Sequence, residues 1–237
     1  MTGKLHHALA MVALGIGLGG GVFANAGGLL LDPVLARSGW EEIRFDDKIP
    51  NTFHSCGDGC IRVKTMNSVS MIGKRFPVRL QDRPVLSWEW MIDRPAPESN
   101  LFEKGQDDRA VAVYVTFPYN PETASFGEKM LRPIVEWAKG EDAPGRVISY
   151  VWGGNGRRGA LQESPYFGST GAIKIVRNHK DAPGIWMMER VNVLEDYRKI
   201  FGDVPAMVSH ILISSDSDDV GIEGTASVRG IFFKPSS

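Results

Sequence analysis

One eight-residue run restricts the architecture of this chain more than any other feature. Across residues 85–92, Leu86, Trp88, Trp90 and Ile92 alternate with Val85, Ser87, Glu89 and Met91. A two-residue period puts the first, bulky apolar set on one side of an extended strand and the second set on the other. Residues 109–117 repeat the pattern, with Val111, Val113, Val115 and Phe117 in one phase. Further runs at 41–45, 60–66, 69–76, 147–152, 172–177, 185–193, 208–214 and 226–233 share the composition. They are rich in Val, Ile, Trp and Phe, and Gly, Pro, Asp and Asn bound them. So many short strands in one domain predict an all-β fold, a two-sheet β-sandwich of the jelly-roll type.

Two segments break this rhythm and predict short accessory helices. Phe126, Met130, Leu131, Ile134, Val135 and Ala138 recur at helical spacing. Ser125 and Glu128 form a capping box ahead of them, Gly140 supplies a stop, and Pro133 imposes a kink. The second helix covers residues 194–201, with Gly202 as its cap. Residues 27–39 read as a flexible lead-in, and residues 40–237 as one domain.

The N-terminus carries an address. Lys4, His6 and His7 precede an apolar run over residues 8–23, and Ala24-Asn25-Ala26 follows as a small-x-small cleavage pattern. This is the layout of a secretory signal over residues 1–26. Glycines at 15, 17 and 19–21 dilute the run below what a spanning helix of roughly 20 apolar residues requires. The expected location is periplasmic or secreted, with no membrane span after cleavage; a retained N-terminal anchor is the alternative. Removing residues 1–26 takes Lys4 from 27 Lys+Arg and nothing from 28 Asp+Glu, leaving a net charge of −2. That balance argues against nucleic acid, which demands a concentrated basic surface.

Both cysteines, Cys56 and Cys60, flank Gly57-Asp58-Gly59. In an oxidising compartment the pair is expected as a disulfide. His54 keeps a metal reading open, although a structural zinc needs a fourth ligand that the spacing does not supply.

Three segments could carry chemistry. Asp216, Asp218 and Asp219 form an acidic loop with the hard oxygen donors that calcium takes. The loop lacks the later positions of a helix-loop-helix calcium site, and a solvated Asx turn is the competing reading. Trp88 and Trp90 with Tyr150 and Trp152 make either an aromatic platform for sugar rings or core filling between two sheets. Gly153 to Gly159, with Arg157 and Arg158, is glycine-rich and basic but lacks the Gly-Lys-Ser/Thr of a P-loop, and reads as a hairpin tip. No Gly-x-Ser-x-Gly elbow and no His-Glu-x-x-His pair occurs. His210, inside an apolar run, reads as a core residue.

The order of several motifs is informative. Trp88-x-Trp90 is followed by Asp107-Asp108 ahead of the strand ending at Phe117, then by Tyr150-Val151-Trp152. Asn178 precedes Trp186; Arg190 comes next, with Asp196-Tyr197 after it; and Ile211 leads to Asp216-Ser217-Asp218 before a small-residue strand from Thr225. From Trp40 to Phe233 the chain resembles the bacterial family known as Domain of Unknown Function 3047. The resemblance implies a small exported β-sandwich of unestablished activity. It also leads us to expect an arginine near Ala112, whereas this chain places one earlier, at Arg109.

The resemblance suggests that Asp107, Asp108, Asn178, Arg190, Asp196, Asp216 and Asp218 gather at one end of the sandwich to hold a cation or a sugar. A buried Arg190–Asp196 ion pair is the structural alternative. The expected function is non-enzymatic binding of a glycan or another envelope component. Trp88, Trp90, Asp107, Asp108, Arg109, Tyr150, Trp152, Asn178 and Arg190 are the candidate ligand contacts, and calcium is the candidate cofactor at Asp216, Asp218 and Asp219. The alternative is a carbohydrate-active hydrolase or lyase using carboxylates among Glu89, Asp107, Asp108 and Asp196. A scaffold docking a protein through its aromatic face is a third reading.

Overall fold

The computed structural model describes residues 31–124, 128–129, 144–219, 221 and 223–236. Among these, seven strands form the larger sheet. Their spatial order is β1 (Glu41–Ile43), β4 (Val69–Val78), β11 (Val208–Asp216), β6 (Arg109–Phe117), β7 (Arg146–Trp152), β9 (Gly168–Arg177) and β8 (Leu161–Ser164). Five more form the second sheet, in the order β10 (Met187–Asn192), β5 (Val85–Ile92), β12 (Glu223–Lys234), β3 (Ile61–Met66) and β2 (Thr52–Ser55). Neighbours are antiparallel except β7 and β9, which run parallel. The fold is the expected two-sheet sandwich. Sequence reading missed β2 and β8, which are four-residue edge strands with one large apolar side chain each.

The alternating residues of β5 and β6 meet between the sheets. Trp88 and Trp90 pack edge to face at 5.1 Å, and Trp90 lies 5.6 Å from Trp152. Trp88 and Tyr150 are 5.8 Å apart. None of the four rings is more than 1% exposed. Each removes apolar area worth roughly 4–6 kcal/mol from water before ordering entropy is charged. The aromatic platform drawn from Trp88, Trp90, Tyr150 and Trp152 is therefore corrected: these side chains are the centre of the core and present no face to a ligand.

Two helices fully within the described residues frame the sheets. The first, α1 (Pro33–Arg37), has Asp32 as its N-cap, whose carboxylate accepts from the amides of Val34 and Ser55, and it buries Leu35. From residue 31 onward, the segment read as a flexible lead-in is thus part of the fold. The second, α2 (Val193–Phe201), begins at the Asn192 cap and ends at Gly202 with φ of 81°. Its Tyr197 stacks on Phe117 at 4.6 Å. The helix expected around residues 125–140 lies outside the described residues, apart from Glu128 and Lys129.

Cys56 and Cys60 form a disulfide across the β2–β3 turn, with Cα atoms 4.9 Å apart. Gly57 and Gly59 adopt φ of 88° and 71°, the left-handed conformation that closes so short a loop. His54 is exposed beside it. Among the described residues, no helix is long and apolar enough to cross a membrane.

Candidate cation-binding site

The first residue of β6 and the last of β11 are brought together by a β-bulge. Ser214 pairs with Ala112, but Asp216 pairs with Arg109, so β6 carries one extra residue in this interval. The bulge lets Ala110 and Val111 both contact the core between the sheets. It turns Arg109 onto the outer face of the larger sheet, where Ala112 and Tyr114 also sit. The bulge puts Arg109 on the same face of β6 as Ala112, three positions before it.

Alternation at the end of β11 completes the arrangement. The Ser217 hydroxyl is tied inward to Thr65 at 2.6 Å and accepts the Ser68 amide at 3.1 Å. Its neighbours Asp216 and Asp218 therefore project the other way, toward Arg109. A buried polar network beneath them, Asn51 with Ser68, Ser70 and the Ser215 carbonyl, fixes this strand end.

Arg109 is the hub. Its Nη1 donates to Asp107 Oδ2 at 2.8 Å and its Nη2 to Asp216 Oδ2 at 2.6 Å. Tyr166 donates its hydroxyl to Asp107 Oδ1 at 2.6 Å, and Asp108 Oδ1 accepts the Asp219 amide at 3.1 Å. Lys48 pairs with Asp218 at the rim. One carboxylate oxygen from each of Asp108, Asp216 and Asp218 lies within 4.8 Å of the other two. Asp108 is fully buried and Asp216 is 4% exposed.

Among the described residues, Arg109 and Lys48 are the cations paired with these carboxylates. Burial, the largest effect, pushes the Asp216 carboxyl up to about 7; Arg109 opposes this, and the charges of Asp107, Asp108 and Asp219 add to it. Burial and the same neighbours, Asp107 and Asp108, also raise Asp219. Burial raises the Tyr114 phenol, keeping it neutral beside the arginine. No hydrogen-bond partner among the described residues reaches Asp216 Oδ1 or Arg109 Nε. Unpartnered buried polar atoms are costly, and two of them belong to the Arg109–Asp216 ion pair. Next to it, a depression is lined by Asp93, Arg94, Arg109, Asp216, Glu223 and Thr225.

The structure thus brings Asp107, Asp108, Arg109, Asp216, Asp218 and Asp219 together. Asp216, read alternatively as part of a solvated turn, is instead a buried strand residue. Asn178 does not join them: its side chain donates to the Gly156 carbonyl at 3.0 Å and braces the glycine-rich loop. In that loop Arg158 pairs with Asp181 at 3.3 Å. Arg190 is exposed on the far side of the other sheet. The Arg190–Asp196 pair is absent, because Asp196 is held by Lys174 at 2.7 Å and by the Tyr150 hydroxyl at 3.1 Å. Lys48, Tyr114 and Tyr166 were not singled out from sequence. The even-numbered phase of β6 carried a signal for Tyr114; Lys48 and Tyr166 reach the site from distant loops and carried none.

A family model described as "Protein of unknown function (DUF3047)" matches residues 38–232. The chain belongs to the DUF3047 family. No curated protein matches it. Several solved structures resemble this DUF3047 fold. The xyloglucanase domain of NopAA, a type three effector from Sinorhizobium fredii in complex with cellobiose, aligns with a TM-score of 0.43 and 8% identity, over 84% of this chain and 95% of that one. The native family 12 xyloglucanase from Bacillus licheniformis gives 0.42 and 13%, over 84% and 88%. Endoglucanase cel12A from Rhodothermus marinus gives 0.40 and 10%, over 85% and 93%. At these identities the likeness concerns fold alone.

Proposed function

We propose that this DUF3047 chain is an exported, non-enzymatic binding module. Its acidic centre holds a divalent cation and takes the hydroxyls of an envelope glycan on the open side of that ion. The observation that carries the reading is the convergence of Asp108, Asp216 and Asp218, one carboxylate oxygen from each lying within 4.8 Å of the other two. An all-oxygen donor set selects a hard cation, and calcium tolerates the irregular geometry that strand-end carboxylates impose. Lys48, on a long stem at the rim, is the pairing such an ion would replace. Asp219 is exposed beside the cluster, so coordination positions on that side go to water or to ligand hydroxyls.

The hydrolase reading fares worse on geometry. Glu89 pairs with Arg229 on the outside of the five-stranded sheet, and Asp196 is engaged by Lys174 and Tyr150. Asp107 and Asp108 are 2% and 0% exposed. General acid–base work on a glycosidic bond needs two carboxyl groups flanking an accessible substrate, and these four do not provide them.

Calcium is expected to raise the thermal midpoint of the protein. With a dissociation constant of order 10 µM, a hundredfold excess adds about 2.7 kcal/mol. In a domain of this size that is roughly 5–10 °C. Asp216→Asn removes the shift while leaving the fold intact, because the amide replaces a costly buried charge. A midpoint indifferent to calcium, magnesium and manganese would exclude the cation site. A glycan array read with calcium and with chelator tests the ligand separately: cation binding with no glycan retained under either condition would refute that half.

A further inference from the structure

The outer face of the five-stranded sheet points to a second, independent binding surface. Its strand residues alternate, so those opposite the core form one outer layer. Five of them are cations: Arg62 and Lys64 on β3, Arg190 on β10, and Arg229 and Lys234 on β12. Two are acids, Glu89 and Glu223, giving the face a net +3 on a chain whose total is −1. Arg229 is neutralised by Glu89 at 2.8 Å, and its guanidinium also lies 3.9 Å from the centre of the Trp186 ring. No ion pair among the described residues engages Arg62, Lys64, Arg190 or Lys234.

The same layer carries exposed apolar side chains. Met188 is 57% exposed, Phe232 50% and Met66 45%. Strand register interleaves them with the charges. Met188 stands across from Glu89, which stands across from Arg229, and Arg190 lies in line with Ser87 and Phe232. A G1-type bulge at Gly230, with φ of 62°, keeps Phe232 on this outer face while Ile231 turns to the core.

We infer that this face docks on the surface of an anionic phospholipid bilayer. Cations alone would suit any polyanion, but a soluble polyanion gives Phe232, Met188 and Met66 nothing to enter. At a bilayer the cations meet lipid phosphates while the apolar side chains sink to the boundary between headgroups and acyl chains. A sheet about 20 Å wide presents both to one plane. Attachment is peripheral, and each unpaired cation strengthens it about fivefold.

Sedimentation with vesicles tests the inference on the full chain. Mixed phosphatidylglycerol–phosphatidylcholine vesicles are expected to carry the protein down at low salt and release it at high salt, whereas pure phosphatidylcholine vesicles leave it in solution. Lys64→Glu with Arg190→Glu lowers binding about tenfold or more. Phe232→Ser weakens vesicle binding several-fold without changing binding to soluble polyphosphate. Circular dichroism and the thermal midpoint verify that each variant is folded, with Lys64→Gln and Arg190→Gln as milder replacements if the double reversal is not. Failure to sediment with phosphatidylglycerol overturns the inference. So does polyphosphate binding as tight as vesicle binding and equally indifferent to Phe232→Ser. Chelator leaves the vesicle result unchanged, since the acidic centre lies on the other sheet, so the two proposals fail separately.

Discussion

Arg109→Ala is expected to destabilise the fold by about 3–5 kcal/mol at alkaline pH in the presence of chelator. Removing one partner of a buried ion pair leaves the other charges without compensation, and here Asp107 and Asp216 both lose their donor. The dependence on pH is the sharper signature. The Asp216 carboxyl is raised to about 7 in the native protein, against an ordinary value of 3.8. A raised acid binds more protons folded than unfolded, so its ionisation opposes folding. In the wild-type protein this cost is absent below about pH 4, grows between 4 and 7, and reaches on the order of 4 kcal/mol above that. Without Arg109 the carboxyl rises further, and the variant goes on losing stability above pH 7, where the wild type has levelled off. The gap between the two proteins should therefore be constant in acid and widen in base. Chemical denaturation at acidic, neutral and alkaline pH measures it. A gap that is flat across the whole range would mean that Arg109 does not compensate Asp216.

Much of the fold was legible because strands β5 and β6 advertise their buried face through strict alternation. Both phases of β6 and β7 are apolar, however, and this carries a second message. The residues facing away from the core, Ala112, Tyr114, Val147 and Val151, are also buried, in a second apolar layer with Leu101. Near-continuous apolar runs are what strands covered on both faces require. The sandwich could be read from Trp88 and Trp90, but their role could not, since a ring that fills a core and one that stacks on a sugar have the same spacing. Asp107, Asp108 and Asp216 stood out as acids next to strands. Their convergence depends on the bulge at the start of β6 and on the inward turn of Ser217, and neither has a sequence signature. Lys48, across 170 positions from Asp218, shows why ion partners recruited by topology stay invisible to local reading.

The core assignment of the tryptophans yields the second large effect. Trp90→Ala is expected to cost about 3–5 kcal/mol, the range for emptying a fully buried large aromatic site. In a domain of this size that lowers the thermal midpoint by roughly 10 °C or more. Three losses combine: the edge-to-face contact with Trp88, the tilted contact with Trp152, and the indole donation to Glu189 Oε1 at 3.0 Å. Glu189 keeps its Arg177 partner, so its charge is not stranded and the cost stays within the cavity range. Trp90→Phe retains part of the ring contact and should cost less than half as much. A surface platform would behave in the opposite way, because alanine there lowers ligand affinity and leaves stability nearly unchanged. Denaturation midpoints of the two variants, read beside their calcium-induced shifts, separate these cases. Large destabilisation with the calcium shift retained places Trp90 in the core and the cation elsewhere. A near-neutral Trp90→Ala would sink the packing on which the whole sandwich rests.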